Sequence, residues 1–123
     1  MSTKRTQTGA YGEQIAAHYL VRQGYQILAQ NWRCPEGELD VVAKQGNTLV
    51  FVEVRTRRGS RMGTPEESVT WAKQQKLIQL ADAFLADYDN PDCDWRIDVI
   101  AVVLDKQDEV VRLNHIEAAV GEI

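Results

Sequence analysis

Asp40 and Glu53 stand where a strand ordinarily buries apolar side chains. They lie in GELDVVAKQGNTLVFVEVR, residues 37–55, among Val, Leu and Phe. The segment reads as two strands, 38–45 and 48–57, joined at Gly46-Asn47, a Gly-X pair suited to a type II′ turn. A two-residue turn pairs residue 45 with 48, which sets Asp40 opposite Glu53 and Glu38 opposite Arg55. Side chains alternate along a strand, so Asp40 and Glu53 share a face and Arg55 follows Glu53 on it. Directly opposed Cβ atoms lie about 4.5–5.5 Å apart. Two ionised groups at that spacing repel, and partial burial adds to the penalty.

Two arrangements relieve the conflict. A divalent cation does so with chemical consequences. Mg²⁺ takes one or two carboxylates and keeps several waters, which leaves room for a phosphate oxygen. A metal-bound water has a lowered pKa and attacks phosphorus in line, so the chemistry would be phosphodiester hydrolysis. Alternatively, Arg55, Arg57 or another cation neutralises the pair as a structural ion pair, and no reaction follows. The spacing leaves both arrangements open.

The elements that must position this pair are legible around it. GAYGEQIAAHYLVRQ, residues 9–23, has a helical stripe of Ile15, Ala16, Tyr19 and Leu20, with Gly24 as a C-terminal stop. Residues 1–8 are expected to form a flexible N-terminus. YQILAQNWR, 25–33, reads as a first strand and CPEGE as a turn. Residues 58–63 form a loop. Thr64, Pro65 and Glu67 carry the signature of a capped helix start, while the apolar stripe of Leu77, Leu80, Ala81, Phe84, Leu85 and Tyr88 runs from about residue 70 to 88. The helix therefore begins at either Thr64 or Thr70. WRIDVIAVVLD, 95–105, and VVRLNHI are the last strands, followed by a short helical tail. The order is αβββαββ. LVFVEV is apolar on both faces, as a central strand should be, and a helix between it and the next strand predicts a crossover to a parallel neighbour. The expectation is one α/β domain over residues 1–123, a central mixed β-sheet flanked by helices.

A chain of 123 residues supports one such core. No apolar run approaches the roughly 18 residues of a membrane span. No apolar region follows the basic N-terminal residues, so neither a signal peptide nor a membrane partner is expected, and a cytoplasmic location is. Cys34 and Cys93 read as reduced thiols, and His18 and His115 offer no zinc spacing. Net charge is −4 but unevenly spread: residues 1–63 hold nine Lys/Arg against five Asp/Glu, residues 64–123 five against thirteen. Arg55, Arg57, Arg58 and Arg61 cluster in the basic half, which reads either as an anion-facing surface or as a solvated basic loop.

Asp40, the hairpin and Glu53-Val54-Arg55 together resemble the D…(D/E)-x-K signature of the restriction endonuclease-like superfamily. The flanking GAYGEQIAAHYLVRQGYQILAQNWRCPEGELDVVA, LVFVEVRTR, the lysine-bearing second helix and RIDVIAV resemble the YraN-type family of bacterial proteins over residues 9–104. That family is assigned to the superfamily and is similar in outline to archaeal Holliday junction resolvases. The resemblance implies the three-layer restriction endonuclease-like fold. It implies that Asp40 and Glu53 bind Mg²⁺ or Mn²⁺ with the Val54 backbone carbonyl assisting, and that Glu13 is the acidic residue resolvase-like relatives place near the metal. Where the superfamily has Lys this chain has Arg55. Arginine supplies charge and bidentate donation to phosphate but no base. Lys73, on the stripe face of the second helix, is a candidate second cation, whereas Lys76 at its edge is expected exposed. Arg57, Arg58 and Arg61 become candidate phosphate contacts. Trp32 and Trp71 either stack on unpaired bases or anchor the core. Glu38 is expected to shape the loop, and Asp98 to serve as a weaker site candidate or as a buried partner for an arginine.

The resulting expectation is a metal-dependent nuclease acting on structured or single-stranded DNA, with Asp40, Glu53, Arg55, Glu13 and Lys73 as its catalytic set. Symmetric cleavage of a four-way junction would require a homodimer. The alternatives are a nucleic-acid-binding module whose chemistry is weakened at Arg55, and a structural or partner-binding domain whose carboxylates only hold an ion pair.

Overall fold

Alternating apolar residues in the middle of the chain and amphipathic helices on either side produce a layered architecture. The computed structural model describes residues 4–59, 63–90 and 92–120. Helix α1 (Lys4–Arg22) precedes strands β1 (Gln26–Cys34), β2 (Gly37–Gln45) and β3 (Thr48–Arg58). A 3-10 turn (Pro65–Ser68) leads into α2 (Trp71–Ala86), and β4 (Asp94–Leu104) and β5 (Val110–Ile116) follow. The five strands lie in the order β1-β2-β3-β4-β5. β3 and β4 run parallel and the other neighbours antiparallel. The sheet is therefore mixed, with the crossover between β3 and β4 made through α2, as the element order predicts.

Each face of the sheet is covered by one helix. On one, Ala16 and Leu20 of α1 pack on Val41, Ala43, Val50, Val52, Val54, Ile100, Val102 and Leu104. On the other, Leu77, Leu80 and Ala81 of α2 pack on Leu39, Val42, Leu49, Phe51 and Ile97. β3 is buried on both sides, its even residues toward α1 and its odd ones toward α2. Fully burying a side chain such as Phe51 or Leu20 stabilises the fold by about 1.5–3 kcal/mol each. α1 approaches β3 closely at Gly12, where a Cβ would fall 1.9 Å from Thr56 Oγ1.

The hairpin register is the expected one. Gln45 pairs with Thr48 and Val41 with Val52, and Gly46 has a φ of +59°. Several boundaries differ. α1 begins at Lys4 and takes in residues expected to be a flexible terminus, because a glycine at position 9 lowers helix propensity without ending a helix. Both candidate starts of the second helix are used. Glu67 Oε1 accepts from the Thr64 N–H at 3.2 Å, and this box opens the 3-10 turn. Thr70 then caps α2, its hydroxyl accepting from the Lys73 N–H at 3.2 Å. Where a helical tail is expected, residues 117–120 make a turn, and residues 121–123 lie outside the described residues.

The first hairpin is irregular in a way that shapes the site. On β1 the alternation is reset at a register shift between Ile27 and Ala29, and again at Asn31, whose φ is +53°. Ala29, Trp32 and Cys34 consequently all pack toward α2. On the facing stretch of β2, Leu39 and Val42 both pack toward α2 while Val41 packs toward α1. The reset on β2 therefore falls at Asp40. Among the described residues, no helix is long and apolar enough to cross a membrane.

Candidate functional site

The β2–β3 ladder stops one pair short of the carboxylates. Its last backbone partners are Val41 and Val52. Beyond them, Asp40 Oδ2 accepts the Val54 N–H at 2.8 Å, so a side chain replaces a strand carbonyl where the two strands part. The N–H and C=O of a residue in an extended strand point the same way, so the Val54 carbonyl opens on the same gap. Asp40 and Glu53 share a face, as the register implies, and their carboxyl groups lie close enough for each to act on the other's charge. Glu53 is buried, with 4% of its surface exposed. Burial and the neighbouring Glu53 push Asp40 up to about 7, against the opposing pull of the Val54 amide and Lys73.

Two cations meet Glu53 from different elements. Lys73 reaches down from the first turns of α2 and places Nζ 3.5 Å from Glu53 Oε2. Arg55 Nε lies 3.0 Å from the same oxygen. That N–H is nevertheless buried without an aligned acceptor, so the arginine is adjacent to Glu53 rather than locked onto it.

Glu13 closes the site from the α1 side. Burial, Asp40 and Glu38 push its carboxyl up to about 7. Asn31 joins the acids. With its amide oriented to donate, it lies 2.9 Å from Glu13 Oε1 and 3.0 Å from Glu38 Oε1. Asn31 stands across from Asp40, between the pairs Gln30–Val41 and Trp32–Leu39. Glu38 meets Arg33 Nε at 2.8 Å and not Arg55, because β2 has already left β3 at that point. The expected loop-shaping role of Glu38 fits this pairing; its expected partner does not.

A sequence profile described as "Uncharacterised protein family UPF0102" matches residues 12–102. A UPF0102 protein of Roseiflexus castenholzii is 50% identical over 123 residues, covering 99% of both chains. Another, from Caldicellulosiruptor saccharolyticus, is 41% identical over 94% of this chain and 98% of its own. One from Nocardia farcinica is 44% identical over 89% of this chain and 86% of its own. The chain belongs to the UPF0102 family. The matched span includes Glu13, Asn31, Asp40, Glu53, Arg55, Lys73 and Asp98.

The other expected residues of this UPF0102 chain fall at varying distances from that centre. Arg57 follows Arg55 on the α2-facing side of β3, and its Nε is buried without a hydrogen-bond partner. Arg58 instead pairs with Asp108 and donates to Thr8 Oγ1 at 3.0 Å. Arg61 lies outside the described residues. Trp32 is a core anchor, packed edge-on against Phe84, whereas Trp71 is exposed. Lys76 is half-buried, its Cε within 3.5 Å of where a Gly37 Cβ would stand. Asp98 is a buried arginine partner. It accepts from Arg96 Nε at 3.0 Å and from the Ala118 N–H at 2.9 Å, and His115 Nε2 lies 2.8 Å away. Cys34 and Cys93 are both free.

Among the described residues, no three His, Cys, Asp or Glu side chains group closely enough to hold a metal between them. A cation at this UPF0102 site would rest on the Asp40 and Glu53 carboxylates and the Val54 carbonyl. That all-oxygen set suits Mg²⁺ or Mn²⁺, which keep waters, and not a structural zinc. The charge pattern also fits. Among the described residues, Asp40 and Glu13 have no cation at ion-pair distance, and both carboxyls are pushed up to about 7.

Proposed function

We propose that this chain is a metal-dependent nuclease of the restriction endonuclease-like fold that hydrolyses phosphodiester bonds in structured or single-stranded DNA. The observation that carries the reading is the gap where β2 leaves β3. Two neighbouring carboxyls occupy it, a lysine from α2 meets one of them, and the strand edge beyond has lost its ladder. In this reading Asp40, Glu53 and the Val54 carbonyl hold Mg²⁺ or Mn²⁺. The bound ion supplies an acidified water and offsets charge developing on phosphorus. Lys73 and Arg55, already beside Glu53, hold the phosphate by charge and donation. Glu13, held by Asn31 on the other side of Asp40, orients water within the acidic cluster. Arg57 and Arg61 hold the flanking backbone. Charge contacts to the phosphate backbone carry no sequence preference, which favours flapped, branched or single-stranded DNA over a defined duplex sequence. Cutting both strands of a junction calls for a homodimer, and the place of action is the cytoplasm.

The contact between Arg55 and Glu53 favours a second reading. A guanidinium 3.0 Å from the carboxylate neutralises it without any metal, leaving a nucleic-acid-binding module or a structural domain. Incubation with labelled single-stranded, flap, junction and duplex DNA, and with RNA, in Mg²⁺ or Mn²⁺ separates the readings. The nuclease reading expects cleavage that Asp40→Asn abolishes. Binding without Asp40-dependent cleavage on any substrate leaves the module, and neither binding nor cleavage leaves the structural domain.

A further inference from the structure

The gap has two banks. Beyond the Val41–Val52 pair, β2 residues 37–40 run free of β3, while Glu53, Arg55 and Arg57 stay paired to β4. The first turns of α2 reach both banks. Lys73 and Lys76 are neighbours three apart on the helix, on the face that carries Leu77 and Leu80 into the core. They part toward different strands. Lys73 Nζ stands 3.5 Å from Glu53 Oε2 on β3. Lys76 lies over the start of β2, where its Cε is 3.5 Å, and Leu80 Cδ2 3.4 Å, from the position a Gly37 Cβ would take. Gly37 has a φ of +149° and no side chain, so its backbone offers a shelf on which the lysine stem rests.

The stem is packed, but the charge is not paired. Among the described residues, Lys76 has no ion-pair partner. Of the acids flanking Gly37, Glu38 is held by Arg33 at 2.8 Å, and Glu36 is exposed on the turn without an ion pair to the lysine. Neutralising a neighbour therefore does not account for a lysine at this place. Gly37 stands three residues before Asp40, about 10 Å along an extended strand. That is too far for Lys76 to act on an ion at the carboxylates, and it sets the ammonium to one side of them. A phosphodiester chain with one phosphate at Asp40 and Glu53 meets Lys73 on the β3 bank and carries a neighbouring phosphate past Lys76 on the β2 bank.

We propose that Lys76 binds a phosphate flanking the one held at Asp40 and Glu53, so that the substrate strand crosses between β2 and β3 beneath the head of α2. The proposal rests on the nucleic-acid reading above and gives it a second anchor. Dye-labelled oligothymidylate is titrated with the intact protein in EDTA over a range of NaCl concentrations, with anisotropy as the readout. On a single strand each phosphate contact contributes about 0.7 to the slope of log affinity against log salt. Lys76→Gln should make the slope shallower by about 0.7 and weaken binding about fivefold at about 0.1 M salt. Lys76→Arg should restore both. Lys106→Gln, the same loss of charge in the exposed turn between β4 and β5, should change neither. Lys76→Gln should melt with the wild type, because no ion pair is lost. A slope that Lys76→Gln leaves unchanged, an equal effect of Lys106→Gln, or a wild-type chain that does not bind overturns the proposal. The two readings fail separately. Asp40-dependent cleavage together with a wild-type slope in Lys76→Gln removes the contact alone, whereas a Lys76-dependent slope without any cleavage removes the nuclease alone.

Discussion

The Val54 N–H and Asp40 Oδ2 are 2.8 Å apart, and this one hydrogen bond stands where a backbone rung of the β2–β3 ladder would otherwise be. Asp40 is thus part of the sheet as well as part of the acidic cluster. The two roles separate by substitution. Asparagine keeps an oxygen for the Val54 amide and removes the charge, so Asp40→Asn should fold with at least wild-type stability at neutral pH. Asp40→Ala orphans the amide and should cost about 1–3 kcal/mol. Urea unfolding of the two variants checks the difference, and equal stabilities would show that the bond contributes nothing.

The pH dependence follows from the two carboxyls pushed up to about 7, Glu13 and Asp40. An acid whose folded value exceeds its unfolded one binds its proton more tightly when folded. Its contribution to stability is full below the unfolded carboxylate range, about pH 4, and is lost as pH rises through about 7. The protein should therefore melt at a lower temperature at about pH 8 than at about pH 6. Asp40→Asn should shrink that difference, and Mg²⁺ or Mn²⁺ should raise the melting temperature at the higher pH in the wild type only. A flat profile with no metal effect would count against both the burial argument and the cation.

Lys73 and Arg55 touch the same Glu53 oxygen and should not be equivalent. Under the nuclease reading, Lys73→Gln removes a donor that reaches the cluster from α2 and should lower kcat about 10²-fold with little change in stability. Arg55→Lys moves the chain toward the superfamily pattern and should raise kcat several-fold. Single-turnover cleavage rates measure both. A Lys73→Gln variant at full rate would place the lysine outside the reaction.

Asp98 behaves oppositely to Asp40. It is fully buried, and burial alone would raise its pKa, but hydrogen bonds from His115, Arg96 and the Ala118 amide hold it below the usual carboxylate range. Its contribution is present above about pH 4 and disappears as pH falls through the still lower folded value. Arg96 also donates to Tyr25 at 2.8 Å and Glu117 at 2.9 Å, so Asp98→Ala strands a cation shared by β4, the residue leading into β1 and the turn after β5. A loss of about 3–5 kcal/mol in denaturant unfolding is expected, with cleavage of the folded fraction unaffected.

The elements legible in the sequence were those set by local rules. A two-residue turn at Gly46-Asn47 fixes the register that puts Asp40 on the face of Glu53, and a helical stripe fixes which side of α2 carries Lys73. What was not legible depends on where strands part. Counting from the turn sets Glu38 against Arg55. Nothing local in GELD signals that the ladder ends at Val41, which gives Glu38 to Arg33 instead. Asn31 left no sequence signal either, since a polar residue on a half-exposed strand is ordinary until its φ of +53° turns it onto Glu13 and Glu38. Gly12 likewise reads as a weak helix position, and only the contact with Thr56 shows why a side chain there would hold α1 off the sheet.

The parallel seam between β3 and β4 has a consequence for the order in which the protein assembles. The hairpin carrying Asp40 and Glu53 is closed by neighbours in the chain, whereas the seam joins Thr48 to Asp94 only after the whole α2 crossover has been laid down. Hairpins close in about 1–10 μs, and distant pairings come later because their loop entropy must be overcome first. The acids of the cluster are thus brought together before the lysine that steadies them arrives. Their mutual repulsion acts on the earliest folding species, in which neither acid is yet buried and both are ionised at neutral pH, so refolding should accelerate as pH falls toward the ordinary carboxylate range, about 4.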